Sequence, residues 1–469
     1  MPWWRRHRRK ARWALGLAAA LPAAHLGLVL ATRIRPPAIE IPHGSPARSW
    51  VRTEAGVREV YLEGTPEQIG AGNARLLRAR MIEDEGTLWS DFDHFVPWWI
   101  ARIGIADWSR VRYRHLDAGV PDARRRELAA QSLAFAPDPF ASRMPTYQRM
   151  LFLHALYDIA LPLEHSPLIG CTSFAFPGTD GHELIGRAFD FEAGEVFDRD
   201  KVVYLIREEG SVPFASVAWP GFIGVVTGMN AEGVVLVVHG ARAGEPTADG
   251  MPVAFSLREA LAHAHTADEA VALLRTQRVM VSHIVFVADG DGNVAIVERA
   301  PGEETYVRKA HGRLWVTNAL EGPLATDPKN LRVRATTSTD GRAARVAELV
   351  DGSPGEHAPF RDVHDALAVL RDHVCGKGPA CDLGDRRAID GLIATHGIVA
   401  DATARVLWVS AGPHLSGPFV KVDLARIFAP DYDPANEPLA DTLPEDPIVH
   451  DGRYEAVMSS RAKPDGSAR

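Results

Sequence analysis

Residues 170–190 read GCTSFAFPGTDGHELIGRAFD and hold three side chains of different reactivity: the thiol of Cys171, the guanidinium of Arg187 and the carboxylate of Asp190. Cysteine occurs three times in the chain, and this one directly follows Gly170 at the head of a strand-like run. A lone cysteine is commonly a small core residue. Here its surroundings say more. The turn PGTDGH, centred on Thr179 and Asp180, predicts a hairpin with Cys171 opposite Ala188, and with Arg187 and Asp190 bracketing that partner. Cross-strand neighbours lie about 4.5–5.5 Å apart at Cβ. Arg187 and Asp190 are three positions apart, hence on opposite faces of a regular strand. Bringing both to the thiol requires a bulge or an end of pairing near Phe189, for which Gly186 gives room.

A cysteine nucleophile needs a proton acceptor, and no histidine stands at a telling spacing from Cys171. Cutting the chain before Cys171 supplies one. The new α-amine would have a pKa of about 7.7–8.0, against about 8.5 for an ordinary thiol, a good match for moving the thiol proton near neutral pH. Asp190 would hold that amine, and Arg187 would favour the thiolate. Gly170, without a Cβ, would tolerate the strained backbone from which the thiol attacks the preceding carbonyl. The expected chemistry is self-cleavage between Gly170 and Cys171 by an N-to-S acyl shift.

The elements that must carry these groups change character along the chain. After a Pro-rich linker, residues 50–62 predict a short strand pair. Thr65, Pro66 and Gln68 then open a helix with a capping box. Helical spacing continues through LLRARMIEDEGTLW, DARRRELAAQSL and YQRMLFLHALYDIAL, and FVPWWIARIGIADW is read as helix packing. From Cys171 the period becomes two, in short β-branched and aromatic runs broken by Gly, Pro, Asn and Asp. Two further helix starts are expected at Ser256 with Glu259 and at Thr266 with Glu269, and three strands close the pattern. Asp289-Gly-Asp-Gly-Asn is read as a hairpin turn, because a calcium loop would need a carboxylate where Ala300 stands. The fold class expected is α+β, a four-layer αββα sandwich. Its expected divisions are 1–34 (basic tail and anchor), 35–49 (linker), 50–170 (mostly helical segment), 171–425 (catalytic domain) and 426–469 (a Pro-rich flexible tail).

At this point the motifs resemble a known family. GCTSFAF followed by GRAFDF is similar to the cysteine branch of the N-terminal nucleophile (Ntn) hydrolases, and most of all to the isopenicillin-N acyltransferase-like family. Choloylglycine hydrolases and penicillin V acylases are its cousins. Arg187 and Asp190 fall sixteen and nineteen residues after Cys171, as in that family. EGTPEQIGAGNARLL, GMNAEGVVLVVHGA, LWVTNAL, STDGRAARV and RVLWVSAGP resemble its other motifs in order, over about residues 60 to 425. The resemblance implies Cys171 as nucleophile and, through its freed amine, base. It implies Asp190 and Arg187 as orienting groups and Asn318 as a side-chain amide donor to the oxyanion, a role worth roughly 3–4 kcal/mol of barrier. It sets Arg342, with Arg345 as competitor, where relatives carry a second site arginine.

Two departures stand out. His239 and Gly240 replace a polar Asn that follows the GMN hairpin in the cousins, and Ala319 replaces a His after Asn318. His239 is open to two readings, a satisfied core histidine or an oxyanion contact. Asn230 either shapes its turn or reaches substrate, and Trp219 with Phe222 either lines an acyl pocket or packs the core.

The N-terminus reads differently from the rest. MPWWRRHRRKAR is followed by an apolar stretch from Trp13 to about Thr32. This pattern predicts a signal anchor with the remainder extracytoplasmic (periplasmic or extracellular), or a secreted body if the signal is cleaved. An oxidising compartment would let Cys375 and Cys381 pair. The net charge of −8 argues against a nucleic-acid binder. The partners expected are the membrane and a small-molecule amide, with a fatty-acyl chain as the weak suggestion of the tether; no metal or organic cofactor is implied. A phospholipase B-like esterase and a non-catalytic membrane-tethered binding protein are the competing readings, and the oligomeric state is left open.

Overall fold

A computed structural model describes residues 23–40, 48–161, 169–191, 196–352, 362–376 and 380–462. Two sheets lie at its centre. The first is built from β1 (Ser49–Glu54), β2 (Val57–Gly64), β5 (Val202–Glu208), β6 (Phe214–Ala218), β7 (Thr227–Asn230), β8 (Val235–Gly240), β9 (His283–Ala288), β10 (Asn293–Arg299) and β11 (Tyr306–His311). These nine strands follow one another across the sheet in that order. The second uses β3 (Ile169–Pro177), β4 (Glu183–Phe191), β12 (Leu314–Val316), β13 (Ala394–Asp401), β14 (Val406–Ser410), β15 (Phe419–Asp423) and β16 (Thr442–Leu443). Its seven strands are ordered β12-β3-β4-β13-β14-β15-β16.

Strand alternation explains the layering. In β2, Val60 and Leu62 point to one apolar cluster and Tyr61 to another. Ala175 and Ile185 of the seven-stranded sheet meet Val203, Leu205, Val235 and Ile284 of the nine-stranded one, forming the core between the sheets. The outer face of the nine-stranded sheet is covered by helices α2 (Pro66–Phe95), α4 (Asp122–Ala134), α5 (Thr146–His154), α8 (Val253–His263) and α9 (Ala267–Thr276). Phe174, Leu184 and Ala188 face the other way, onto α11 (Thr339–Asp351) and α12 (Val363–Leu370). The order is helix, sheet, sheet, helix, as the sequence predicted.

Several expectations need correction. β1 and β2 are not part of a separate helical segment: β2 pairs in parallel with β5, so residues ahead of Cys171 complete the nine-stranded sheet. Over residues 426–462 the expected flexible tail is instead ordered against the body. Phe428 and Tyr432 are buried against the inter-sheet core, β16 pairs with β15, and a helix spans Arg453–Ala462. Thr65 caps α2 with a full capping box, and Thr266 caps α9, as expected. Ser256 starts no helix; it is buried within α8, because Pro252 already fixes the entry a few residues earlier. The Trp-rich run packs only in part. It covers the end of α2 and most of α3 (Trp99–Arg112); Trp108 meets Tyr113 edge-on at 6.4 Å, whereas Trp98 and Trp99 are 77% and 64% exposed.

Among the described residues no helix is long and apolar enough to cross a membrane. Most of the expected anchor, residues 1–22, lies outside the described residues, and a short helix follows it over residues 23–31. Cys375 and Cys381 are joined as a disulfide, with Cα atoms 5.6 Å apart.

Candidate active site

The β3–β4 hairpin is regular, and its register differs by one residue from the expectation. Cys171 pairs with Phe189, Gly170 with Asp190 and Ser173 with Arg187. The turn spans an odd number of residues once Gly181 takes a positive φ of 83° and Gly178 donates its N–H to the His182 carbonyl. No bulge interrupts this ladder. The irregularity falls instead where β4 meets β13, between Ala394 and His396.

Strand parity then sorts the groups. Cys171, Ser173, Arg187 and Phe189 share the face toward the other sheet, whereas Thr172 and Asp190 share the face toward the helices. Asp190 thus reaches the nucleophile through the backbone and not beside the sulfur. A Cβ on Gly170 would lie 2.8 Å from Asp190 Oδ2, so a glycine is required by close approach. Gly170 is not among the positive-φ residues, so its role here is the close approach to Asp190 and not a left-handed turn.

The Cys171 backbone is gripped from two sides. Its N–H donates to Asn318 Oδ1 at 2.8 Å, and Arg342 donates to its carbonyl. Arg342 also donates to Thr172 Oγ1 at 3.0 Å and to Asn318 Oδ1 at 2.8 Å. Asn318 Nδ2 donates to the Gly240 carbonyl at 2.9 Å, which uses one of its two N–H groups. Arg345 pairs with Asp372 at 2.7 Å, and of the two arginines it is Arg342 that contacts Cys171.

On the inter-sheet face Arg187 is fully buried. It donates to the Val238 carbonyl at 2.8 Å and to Thr227 Oγ1 at 3.3 Å, and its guanidinium carbon stands 4.6 Å from the Phe189 ring centroid. No carboxylate forms an ion pair with it among the described residues. Burial pushes the Cys171 thiol up, and the hydrogen bond and charge of Arg187 pull it back down. His239 Nε2 lies 2.8 Å from Ser173 Oγ, two residues from the thiol, and burial together with Arg187 holds its pKa well below the usual imidazole range. His239 is therefore a neutral neighbour of the site. Asn230 is not in the site: it donates to the Leu261 and Ala264 carbonyls and receives Glu232 and Val234 N–H groups, closing its own turn.

The structure adds residues that spacing did not reveal. His396 Nε2 lies 2.9 Å from Thr227 Oγ1, and its ring stacks on Phe189 at 5.0 Å. Tyr157 carries a buried hydroxyl with no hydrogen-bond partner, on the helical segment ahead of the nucleophile. It lines an apolar pocket with Phe189, Leu153, Phe222, Trp219 and Leu88. Trp219 and Phe222 are therefore pocket-lining, with Trp219 fixed by donation of its Nε1–H to the Phe197 carbonyl at 2.7 Å. Among the described residues one group could gather metal-ligand atoms, Cys375, Cys381 and Asp385, but the disulfide removes both thiolates.

Residues 178–377 match the family model of acyl-coenzyme A:6-aminopenicillanic acid acyl-transferase. The likeness is to an Ntn acyltransferase. The matched span holds Arg187, Asp190, Asn318 and Arg342 and begins seven residues after Cys171. The family match and the resemblance read from the motifs agree in pointing to an acyl-transferase likeness.

An uncharacterized protein of Archaeoglobus fulgidus is 28% identical over 152 residues, 30% of this chain; the chain spans 25% of that relative's length. Among solved structures, penicillin V acylase from Agrobacterium tumefaciens is 19% identical, over 59% of this chain and 99% of that one, with a TM-score of 0.35. A mutant conjugated bile acid hydrolase from Clostridium perfringens is 14% identical, over 58% and 96%, with a TM-score of 0.39. An N-acylethanolamine-hydrolyzing acid amidase ortholog from Caenorhabditis elegans is 15% identical, over 50% and 93%, with a TM-score of 0.36.

Proposed function

We propose that this chain is a self-processing cysteine acylase that cuts itself between Gly170 and Cys171 and then cleaves linear amides, or transfers their acyl group, through a thioester on Cys171. One observation carries the reading: a fully buried free thiol shares its sheet face with a buried guanidinium, Arg187, that has no carboxylate partner among the described residues. An unpaired buried cation is costly, and a thiolate or developing oxyanion offsets that cost.

Processing begins when Cys171 Sγ bonds to the Gly170 carbonyl carbon and the peptide C–N bond breaks, the nitrogen taking the thiol proton. Water then hydrolyses the thioester, leaving a Gly170 carboxylate and a free thiol and amine on Cys171. Loss of Gly170 uncovers Asp190, which now faces the new amine, while Asn318 Oδ1 already accepts from that nitrogen. In turnover the amine takes the thiol proton and returns it to the departing amine of the substrate. The thioester is resolved by water or by an acceptor amine. The apolar pocket beside Phe189 and Tyr157 favours a long-chain or aromatic acyl group. The N-terminal anchor and an extracytoplasmic catalytic body remain part of this proposal, resting on the basic and apolar runs of the sequence.

Mass spectrometry of the purified chain tests it. A fragment beginning at Cys171, absent in Cys171→Ala, is the expected result; an intact chain with thiol-independent activity would overturn it.

A further inference from the structure

We infer that the tip formed by the end of α2 and the start of α3 is a docking surface for a lipid bilayer. Soluble proteins bury most large aromatic groups, and contiguous exposed ones mark contact sites. Here Phe95, Trp98, Trp99 and Ile100 are exposed by 81%, 77%, 64% and 67% within one short stretch of chain. The chemistry of the patch fits the headgroup boundary. Indole rings prefer that depth, where an apolar body sits in acyl chains and the N–H stays wet. Arg102 flanks the aromatic residues and is paired with Asp93 at 2.7 Å, so the rim of the patch is polar.

The chain outside the described residues argues for the same occupant. Residues 1–22 carry the basic run and most of the apolar stretch, and the described residues that follow them, 23–31, are helical. That helix lies against α3, with His25 Nδ1 2.7 Å from Asp107 Oδ2, and it exposes Leu26 and Leu30 by 59% and 61%. An apolar segment entering a bilayer from this point brings the aromatic tip to the same surface. The tip also shares a helix with the pocket wall. Leu88 lines the pocket and Phe95 ends the same helix, about 10 Å further along its axis. A lipid-soluble amide leaving the membrane would meet α2 first and the pocket wall next.

The test uses the full chain carrying Cys171→Ala, in which Cys375 is bonded to Cys381, so an introduced cysteine is the one free thiol among the described residues. A nitroxide is placed at Ile100→Cys and, separately, at Leu439→Cys, which is 85% exposed beside β1. Both proteins are bound to vesicles of phosphatidylcholine and phosphatidylglycerol. The label at 100 should be relaxed more by oxygen than by a water-soluble nickel chelate, and the label at 439 the reverse. A water-like label at 100 on vesicle-bound protein would overturn the inference, as would failure to bind vesicles. Spin–spin broadening at 100 that vanishes on dilution with unlabelled protein would assign the face to a second copy instead. Because the label reports depth at the tip and not activity, a failed processing assay leaves this result unaffected.

Discussion

Cys171 gives its backbone N–H to Asn318 Oδ1 at 2.8 Å, the same oxygen that receives Arg342. The nitrogen that becomes the proposed base is thus held by a neutral acceptor before it is freed. Two donors on one oxygen, with Nδ2 on the Gly240 carbonyl, fix which end of the amide is which.

Asn318→Ala should therefore slow processing and turnover together. It strands the buried Cys171 N–H and takes one acceptor from Arg342, and losing one such partner costs about 1–3 kcal/mol, or roughly ten- to a hundredfold in rate. Asn318→Asp keeps an acceptor for both donors and loses the bond to Gly240, so its rate should fall between. The order wild type, Asp, Ala in a time course of intact mass checks this. An Ala variant that processes at the wild-type rate would remove Asn318 from the site.

Arg187 lowers the pKa of the Cys171 thiol that burial raises. Replacing it with Gln leaves the burial and removes the charge, so the pH at which the thiol reacts should move upward. Alkylation of the processed enzyme by iodoacetamide, followed from about pH 6 to about pH 10, reads this directly. A shift of about one unit or more is expected; an unchanged profile would show that the guanidinium does not act on the sulfur.

Much of the positioning was legible in the sequence for local reasons. The Thr65–Gln68 box, the period-two runs and the spacing of Arg187 and Asp190 each report geometry within one element or one hairpin. The one-residue register error arose because PGTDGH allows more than one turn closure, and a single slip turns every side chain to the other face. Ser173, Thr227 and His396 escaped notice because they come from three strands in two sheets and meet only when the sheets pack. The pocket shows the same limit. Leu88 and Tyr157 are ordinary apolar helix positions until the helical layer closes over β4.

Buried carboxyls and imidazoles give the folded chain an uncommon pH profile. Burial raises Glu183 and Asp84 to about 8, and Glu59 and Asp158 to about 7. Each holds a proton that the unfolded chain has released by about pH 5, so each costs stability as pH climbs toward its folded value. His154 and His283 are held down to about 4 and about 3 by burial and cost stability in the other direction, below about 6.5 where the unfolded imidazole is protonated. From about pH 6.5 to 8 the raised carboxyls act without opposition from these histidines. The urea midpoint should fall across that interval, and fall less in Glu183→Gln. A midpoint that rises across the same interval would contradict the assignment.

The pocket wall sets a quantitative expectation for the acyl group. Each methylene moved from water into an apolar site contributes about 0.8 kcal/mol, close to fourfold in kcat/KM per carbon. For straight-chain N-acyl amides the specificity constant should climb by about that factor per carbon until the pocket is full, then level off. Leu153 lines the pocket and is only partly buried, so Leu153→Trp can fill the space with little disturbance of the core. In that variant the plateau should come several carbons earlier, while the shortest amides keep their wild-type constants. The split separates a filled pocket from a damaged nucleophile, which would lower every constant alike. A wild-type series that is flat in chain length would show that acyl groups are held elsewhere than against Phe189 and Tyr157.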